Sequence, residues 1–387
     1  MHIVVLGGGY SGLLATKLLA KRTNAKVTLI NAADRFVERV RLHQLSSGQQ
    51  LRDLPFTELL DGSGVDLIID RATAIDVENR AIRLENAPEP VSYDVLFYAV
   101  GSQANLDMVP GAAEHAYTVA DAAGARRLHE RVTVLSGGAT PRPRLGASPQ
   151  TSLAGTVAVV GGGLTGIEAA SELAESNPEL KVRLVTGGEF GGALSDRGRR
   201  HLRSSFERLG IEISEQVRVT EVRADGLMLA GGEHIPADIV IWTTGFRVPA
   251  LAREAGFAVD ADGRMIVDET LRSVSHPEVY AVGDAAAAHR ADNQELRMAC
   301  ATGLPTAAHA VGALADRLAG RTPKPLDFGY RFRCISLGRR NGLIQFVRAD
   351  DSPVERVLTG RMAALYKEAI VRSTIMVQRH PALAKFA

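Results

Sequence analysis

Three groups of residues in this 387-residue chain have types and spacings that could do chemistry. Gly7, Gly9 and Gly12 fit G-x-G-x-x-G directly after the apolar run IVVL. Gly161, Gly163 and Gly166 repeat the pattern directly after VAVV. Gly283 and Asp284 follow a third short apolar run, VYAV, and precede a run of alanines. In such a triplet the first glycine makes a tight turn and the second lets backbone approach a pyrophosphate. The third lets helix and strand pack closely. The helix that follows offers free amides and a partial positive charge to an anion. One copy is a weak signal, because glycine turns also serve as plain helix starts. Two copies in one chain point to two bound dinucleotides.

The elements around these residues repeat as well. HIVVLGGGYSGLLATKLLAKRTNAKVTLIN and TVAVVGGGLTGIEAASELAESNPELKVRLVT each read strand, glycine turn, helix, strand. Each has a later partner strand, YDVLFYAVGS (93–102) and ADIVIWTTGF (237–246), ending in a glycine turn at Gly101 or Gly245. A Gly-, Pro-, Ser- and Thr-rich stretch over 136–155 reads as a long surface loop. The expected fold is therefore α/β, with two Rossmann-like (two-dinucleotide-binding) domains and a C-terminal α+β region.

Composition excludes other classes. The chain is 45% hydrophobic with a net charge of +1, so nothing global attracts nucleic acid. Residues 321–387 hold 13 Lys/Arg against 5 Asp/Glu, a basic tail on an acidic body. Two distant cysteines, Cys300 and Cys334, make neither a disulfide framework nor a metal site. Cys300 comes shortly after the Gly283–Asp284 pair and either approaches the ligand bound there or is a small buried residue, and Cys334 reads as core. MHIVVLGGGYSG reads as a strand and turn rather than a signal peptide. No stretch reaches the roughly 20 apolar residues of a membrane span, so a cytoplasmic protein is expected. VRLHQLSSGQQ (40–50), where a two-cysteine redox motif would be a natural find, has no cysteine.

On GGGYSG, YDVLFYAVGS, GGGLTGIEAASEL, ADIVIWTTGF and VYAVGDAA, the chain resembles the FAD- and NAD(P)H-dependent pyridine nucleotide oxidoreductases. Within them it is most similar to the type II NADH dehydrogenases and the apoptosis-inducing-factor-like oxidoreductases. The resemblance implies FAD on 1–115 and 251–320, and NADH or NADPH on 116–250. A C-terminal basic region with an amphipathic helix covers 321–387. At the FAD it implies Gly7, Gly9, Gly12, Asn31, Arg41, Ala72, Gly101, Gly283, Asp284 and Pro305. At the NAD(P)H it implies Gly161, Gly163, Gly166, Thr186 and Gly245. Asn31 and Thr186 occupy the places where an acid usually grips the ribose. No Arg or Lys follows Thr186 before Asp196, which favours NADH over NADPH. Glu168 either holds the nicotinamide carboxamide or is an acid stabilised by the helix dipole. A helix starting around Thr302, Gly303 and Pro305 would aim its amides at the flavin pyrimidine edge.

For the electron acceptor the resemblance implies a quinone-like small molecule. The family's P-x-A-Q-x-A-x-Q run is PTAAHAVG here, with Ala308 and Gly312 in place of the glutamines. His309 is then a candidate donor to a quinone carbonyl, or simply structural. Residues 360–380 form an amphipathic helix with Met362, Leu365, Tyr366, Ala369, Ile370, Ser373, Met376 and Val377 on one stripe. The stripe is expected to pack on the flavin domain or a dimer mate. A peripheral membrane contact beside a quinone pool is the other reading. Two further functions stay open. One is a reductase whose basic tail docks a ferredoxin-type partner; the other is an NAD(H)-sensing flavoprotein.

Overall fold

A computed structural model describes residues 1–136 and 155–386. The loop expected over 136–155 lies outside the described residues except for its two end residues. Five parallel strands form the first sheet, in the order 279–281, 95–98, 2–6, 26–31, 66–69. Ile3 pairs with Val27 on one side and Val95 on the other. Ile3, Val4 and Val5 have no exposed surface. A parallel strand covered on both faces must be apolar at every position, which is why IVVL does not alternate. The helix α1 (Tyr10–Arg22) begins at Gly9 and carries Lys21 and Arg22 in its last turn. Cations there suit the carbonyl end of the helix dipole.

A short helix, α2 (Leu42–Ser46), occupies the cysteine-free stretch. The second sheet repeats the plan of the first. Its parallel strands run 212–214, 181–185, 156–160, 239–242, 116–117. Its glycine turn leads into α3 (Leu164–Ser176). The chain enters this sheet at Ala116–Tyr117 and returns to the first at Val279–Ala281. The helix α4 (Cys300–Leu318) then packs beside α1, with Pro305 inside its first turns. It starts at Cys300, two residues before the expected start.

An antiparallel sheet of 332–336, 342–347 and 353–359 follows, then α5 (Gly360–Arg379). This C-terminal region binds both domains. Ile335, Leu337 and Leu343 join the apolar core of the second sheet, whereas Ile375 and Val377 join that of the first.

The orientation of α5 corrects the expected stripe. Met362, Leu365, Tyr366 and Met376 are 63%, 64%, 41% and 55% exposed, so they do not pack on this chain's flavin domain. Of the stripe, Val377 is buried and Ile370 partly so. The packed row is Ala363, Lys367, Val371, Ile375, spaced by four. On this inward face the Lys367 ammonium donates to the Glu168 carboxylate of α3, while Ile375 and Val377 pack into the core of the first sheet. No helix among the described residues is long and apolar enough to cross a membrane.

Candidate functional site

The first glycine turn is shaped by steric contacts with one deliberate opening. Gly7 has φ +103°, a conformation that L side chains rarely adopt. A Cβ on Gly12 would lie 1.8 Å from the Gly7 carbonyl oxygen, so helix and turn touch. A Cβ on Gly9 would meet nothing within 4 Å. Gly9 is the N-cap of α1 and contributes no capping side chain, so the first amides of α1 face this space. Gly8, not singled out from the sequence, is confined by Phe56 and Asn31. Asn31 accepts the Gly8 amide at 2.8 Å and donates to the Ala33 carbonyl at 2.8 Å. It therefore stiffens the loop itself. Ala72 lies half-buried at the start of strand 72–76.

Asp284 closes the other side of this cradle. Its carboxylate accepts from the Ser102 hydroxyl at 2.6 Å and lies 3.6 Å from the Arg39 guanidinium. Arg39 also donates to Ser102 and sits over the Phe246 ring at 5.5 Å. Gly283 has φ +66°, and a Cβ there would fall 2.4 Å from the Ser11 hydroxyl. Gly101 likewise has φ +69°. Gly283, Asp284, Arg297, Met298, Thr302 and Thr306 line a small cleft at the start of α4. Open glycine, unblocked helix start and carboxylate on one side of the first sheet fit a dinucleotide whose sugar chain meets Asp284. Arg41 is elsewhere. Its guanidinium holds Glu368 bidentately at 2.9 and 3.0 Å and Glu38 at 3.1 Å. The cation beside Gly101 and Asp284 is Arg39.

The second cradle copies the first. Gly161 has φ +122°, a Cβ on Gly166 would lie 1.9 Å from the Gly161 oxygen, and one on Gly163 would meet nothing within 4 Å. Thr186 stands beside Gly162 as Asn31 stands beside Gly8. Gly245, φ +69°, faces the sulfur of Met108. Arg199, in the helix Asp196–Arg208, is engaged by Glu189 and Asp196.

The two cradles meet near the start of α4. Cys300 is exposed as a residue, yet burial of its thiol pushes the thiol pKa up, and Lys367, Glu168, Arg297 and Asp284 are its charged neighbours. Glu168 accepts from the Ser336 amide at 3.0 Å and from Lys367, and lies 3.8 Å from His43 Nδ1. Burial pushes the Glu168 carboxyl up, but the Lys367 ammonium, aided by the Ser336 amide, outweighs it and holds it below the ordinary range. Burial pushes His43 down to about 4, so it stays neutral near pH 7. Cys334 is half-buried, and burial pushes its thiol up to about 12, which disfavours thiolate chemistry. His309 is directed at the Glu269 and Lys324 backbone and takes no part in the cleft at the start of α4.

Sequence reasoning missed Arg39, Ser102, His43 and Lys367. Ser102 directly follows Gly101, and Lys367 is a charge inside an apolar row of spacing four; both were available signals. Nothing local distinguishes Arg39 from Arg41.

Comparison with known proteins agrees with this geometry. Residues 1–313 match the family model described as pyridine nucleotide-disulphide oxidoreductase. An NADH dehydrogenase-like protein of Mycobacterium tuberculosis is 32% identical over 327 residues, covering 80% of this chain and 78% of that protein. A demethylphylloquinone reductase of Synechocystis is 25% identical over 382 residues, covering 95% and 92%. The fold matches that of NDH2 from Plasmodium falciparum in complex with NADH, with a TM-score of 0.80, 15% identity and coverage of 98% and 97%. With paired glycine cradles on two parallel sheets and a family match over most of its length, the chain belongs to the pyridine nucleotide-disulphide oxidoreductases, flavoproteins that take their electrons from NAD(P)H.

Proposed function

We propose that this protein is an NADH:quinone-type oxidoreductase that uses no redox-active disulfide. Residues 1–115 and 251–320 hold FAD, and 116–250 hold NADH. FAD, when bound, supplies the two-electron store between donor and acceptor. The chain's own residues then have defined tasks. Asp284, Ser102 and Arg39 fix the sugar chain, and the open turns at Gly9 and Gly163 take the pyrophosphates. The uncapped start of α4 offers amides to developing negative charge. Glu168 is poised to hold the nicotinamide carboxamide. Lys367 keeps it ionised and presents an ammonium donor to an acceptor oxygen.

The observation that carries this reading is the Glu168–Lys367 pair at the meeting of the two cradles. A disulfide reductase would need a low-pKa thiol there, and the two described thiols are not of that kind. The absence of any Arg or Lys between Thr186 and Asp196 supports NADH, and Arg199 just beyond is taken up by Glu189 and Asp196. A demethylphylloquinone reductase among the relatives supports the quinone class. The exposed apolar face of α5, with Arg361, Arg372 and Arg379 beside it, suits a peripheral contact with an anionic membrane.

Anaerobic stopped-flow mixing tests the reading. NADH is expected to bleach the flavin faster than NADPH does, and a soluble quinone to restore it faster than ferredoxin or a disulfide. A protein that purifies without flavin, or that quinones do not reoxidise, overturns it. For the membrane contact, Leu365→Glu is expected to reduce co-sedimentation with anionic liposomes. A change in oligomer size instead would assign the face to a second copy.

A further inference from the structure

The helix that carries Glu168 carries two more carboxylates on one face, Glu172 and Glu175, one and two turns further on. All three meet the C-terminal region. Glu168 is bound by Ser336 and Lys367. Glu172 lies 3.9 Å from Arg339 Nε. Glu175 accepts the Arg339 amide at 2.5 Å and presses on Gly338, where a Cβ would fall 2.6 Å from the carboxylate. Glu175 is exposed, Glu172 has a fully buried side chain, and Glu168 stands at the meeting of the cradles. The row thus runs from solvent to the candidate site.

Glu172 is the unusual member. One carboxylate oxygen accepts from the Gln49 amide and the other has no partner. A buried carboxylate with a free oxygen is costly when ionised. Across the α2–α3 contact, His43 is also buried, with Nε2 unpartnered and Nδ1 facing Glu168. These buried groups, one of them not acidic, lie beside the residue that would serve the acceptor.

We propose that Glu172 stores the proton that the acceptor half of the reaction needs and passes it inward to Glu168 and Lys367. This rests on the quinone reading above. NADH delivers a hydride, two electrons and one proton. A quinone that becomes a hydroquinone takes two electrons and two protons, so one proton must come from solution. The acceptor oxygen takes its proton from the Lys367 ammonium, the Glu172 O–H bond breaks to return one through the Glu168 carboxylate, which is left ionised, and solvent then reprotonates Glu172 along the Glu175 edge. Glu172 acts through Glu168 and does not itself touch the acceptor.

Burial pushes the Glu172 carboxyl up to about 7. Arg339 and Gln49 pull it back, while Glu175 and Glu168 push it further. Lys367 is committed to Glu168, and His43 is neutral near pH 7. Glu172 is thus poised to gain and lose a proton at working pH, the condition for efficient transfer.

The test is Glu172→Gln in the full-length flavoprotein. Turnover is followed across pH with a soluble short-chain quinone, and with ferricyanide, which takes electrons without protons. Quinone turnover is expected to fall by about a hundredfold or more, the low end for a positioned proton donor, and to lose its inflection near pH 7. Ferricyanide turnover and flavin bleaching by NADH serve as references, and Glu172→Asp restores part of the quinone rate. Infrared difference spectra, recorded without any acceptor, are expected to show a carboxyl titrating near neutral pH that E172Q lacks. Equal losses with both acceptors, an unchanged pH profile, or no such carboxyl overturns the proposal. A wild-type protein that ferricyanide reoxidises and quinones do not overturns the quinone reading instead, and the infrared titration then decides the proton store by itself.

Discussion

Lys367 of the long helix α5 is ion-paired with Glu168 of the helix that follows the second glycine turn, although 199 residues separate them in the chain. Their side chains are only 11% and 12% exposed. Removing one partner of such a pair strands a buried charge. Lys367→Met is expected to destabilise the protein by about 3 kcal/mol. The double variant with Glu168→Gln is expected to recover much of that loss. Denaturant midpoints of the four proteins check both expectations.

The two open glycines separate the cofactor sites. Gly9→Ala is expected to fold, because its Cβ enters empty space, yet to purify with little flavin. Gly163→Ala is expected to keep its flavin and to show a KM for NADH raised roughly tenfold or more, since the new methyl blocks close approach to a pyrophosphate. Absorbance spectra and steady-state kinetics read both. Gly12→Ala, with its Cβ 1.8 Å from the Gly7 oxygen, is expected not to fold at all.

Two arginines of one segment are expected to behave differently. Arg39 is hydrogen-bonded to Ser102 and lies near Asp284, so Arg39→Ala is expected to weaken flavin retention roughly tenfold, the scale of one charged hydrogen bond. Arg41 is tied to Glu38 and Glu368, so Arg41→Ala is expected to lower the denaturation midpoint without changing flavin affinity. Flavin release under dilution distinguishes them.

His43 makes stability depend on pH. Its folded pKa, about 4, lies below the ordinary 6.5, so between these values the unfolded chain binds more protons. Its contribution is therefore complete above pH 6.5 and is lost as pH falls toward 4. The slope from this residue is at most about 1.4 kcal/mol per pH unit. His43→Gln is expected to flatten the decline, measured by chemical denaturation at pH 4.5, 5.5 and 6.5.

Local sequence determined the doubled strand–turn–helix plan, because sterics act between neighbours. Gly12 and Gly166 are each blocked by the carbonyl oxygen of the glycine five residues before, so their spacing reveals the turn, although Gly7 and Gly161 are themselves confined by the distant Ala99 and Thr243. The G-D motif at Gly283–Asp284 was legible from its place directly after a short apolar run, although the contact that confines Gly283 is with the distant Ser11. The tertiary structure decided which charges are available. Arg39 and Arg41 are alike in sequence, and only packing against Asp284 or Glu368 sets their tasks. The outward apolar face of α5 was also settled there, since hydrophobic periodicity shows that a helix has two faces without showing which is covered. A charged residue, Lys367, sits in the covered row, where its ion pair with Glu168 spares both charges from burial alone. Such long-range pairings leave no local periodicity to read.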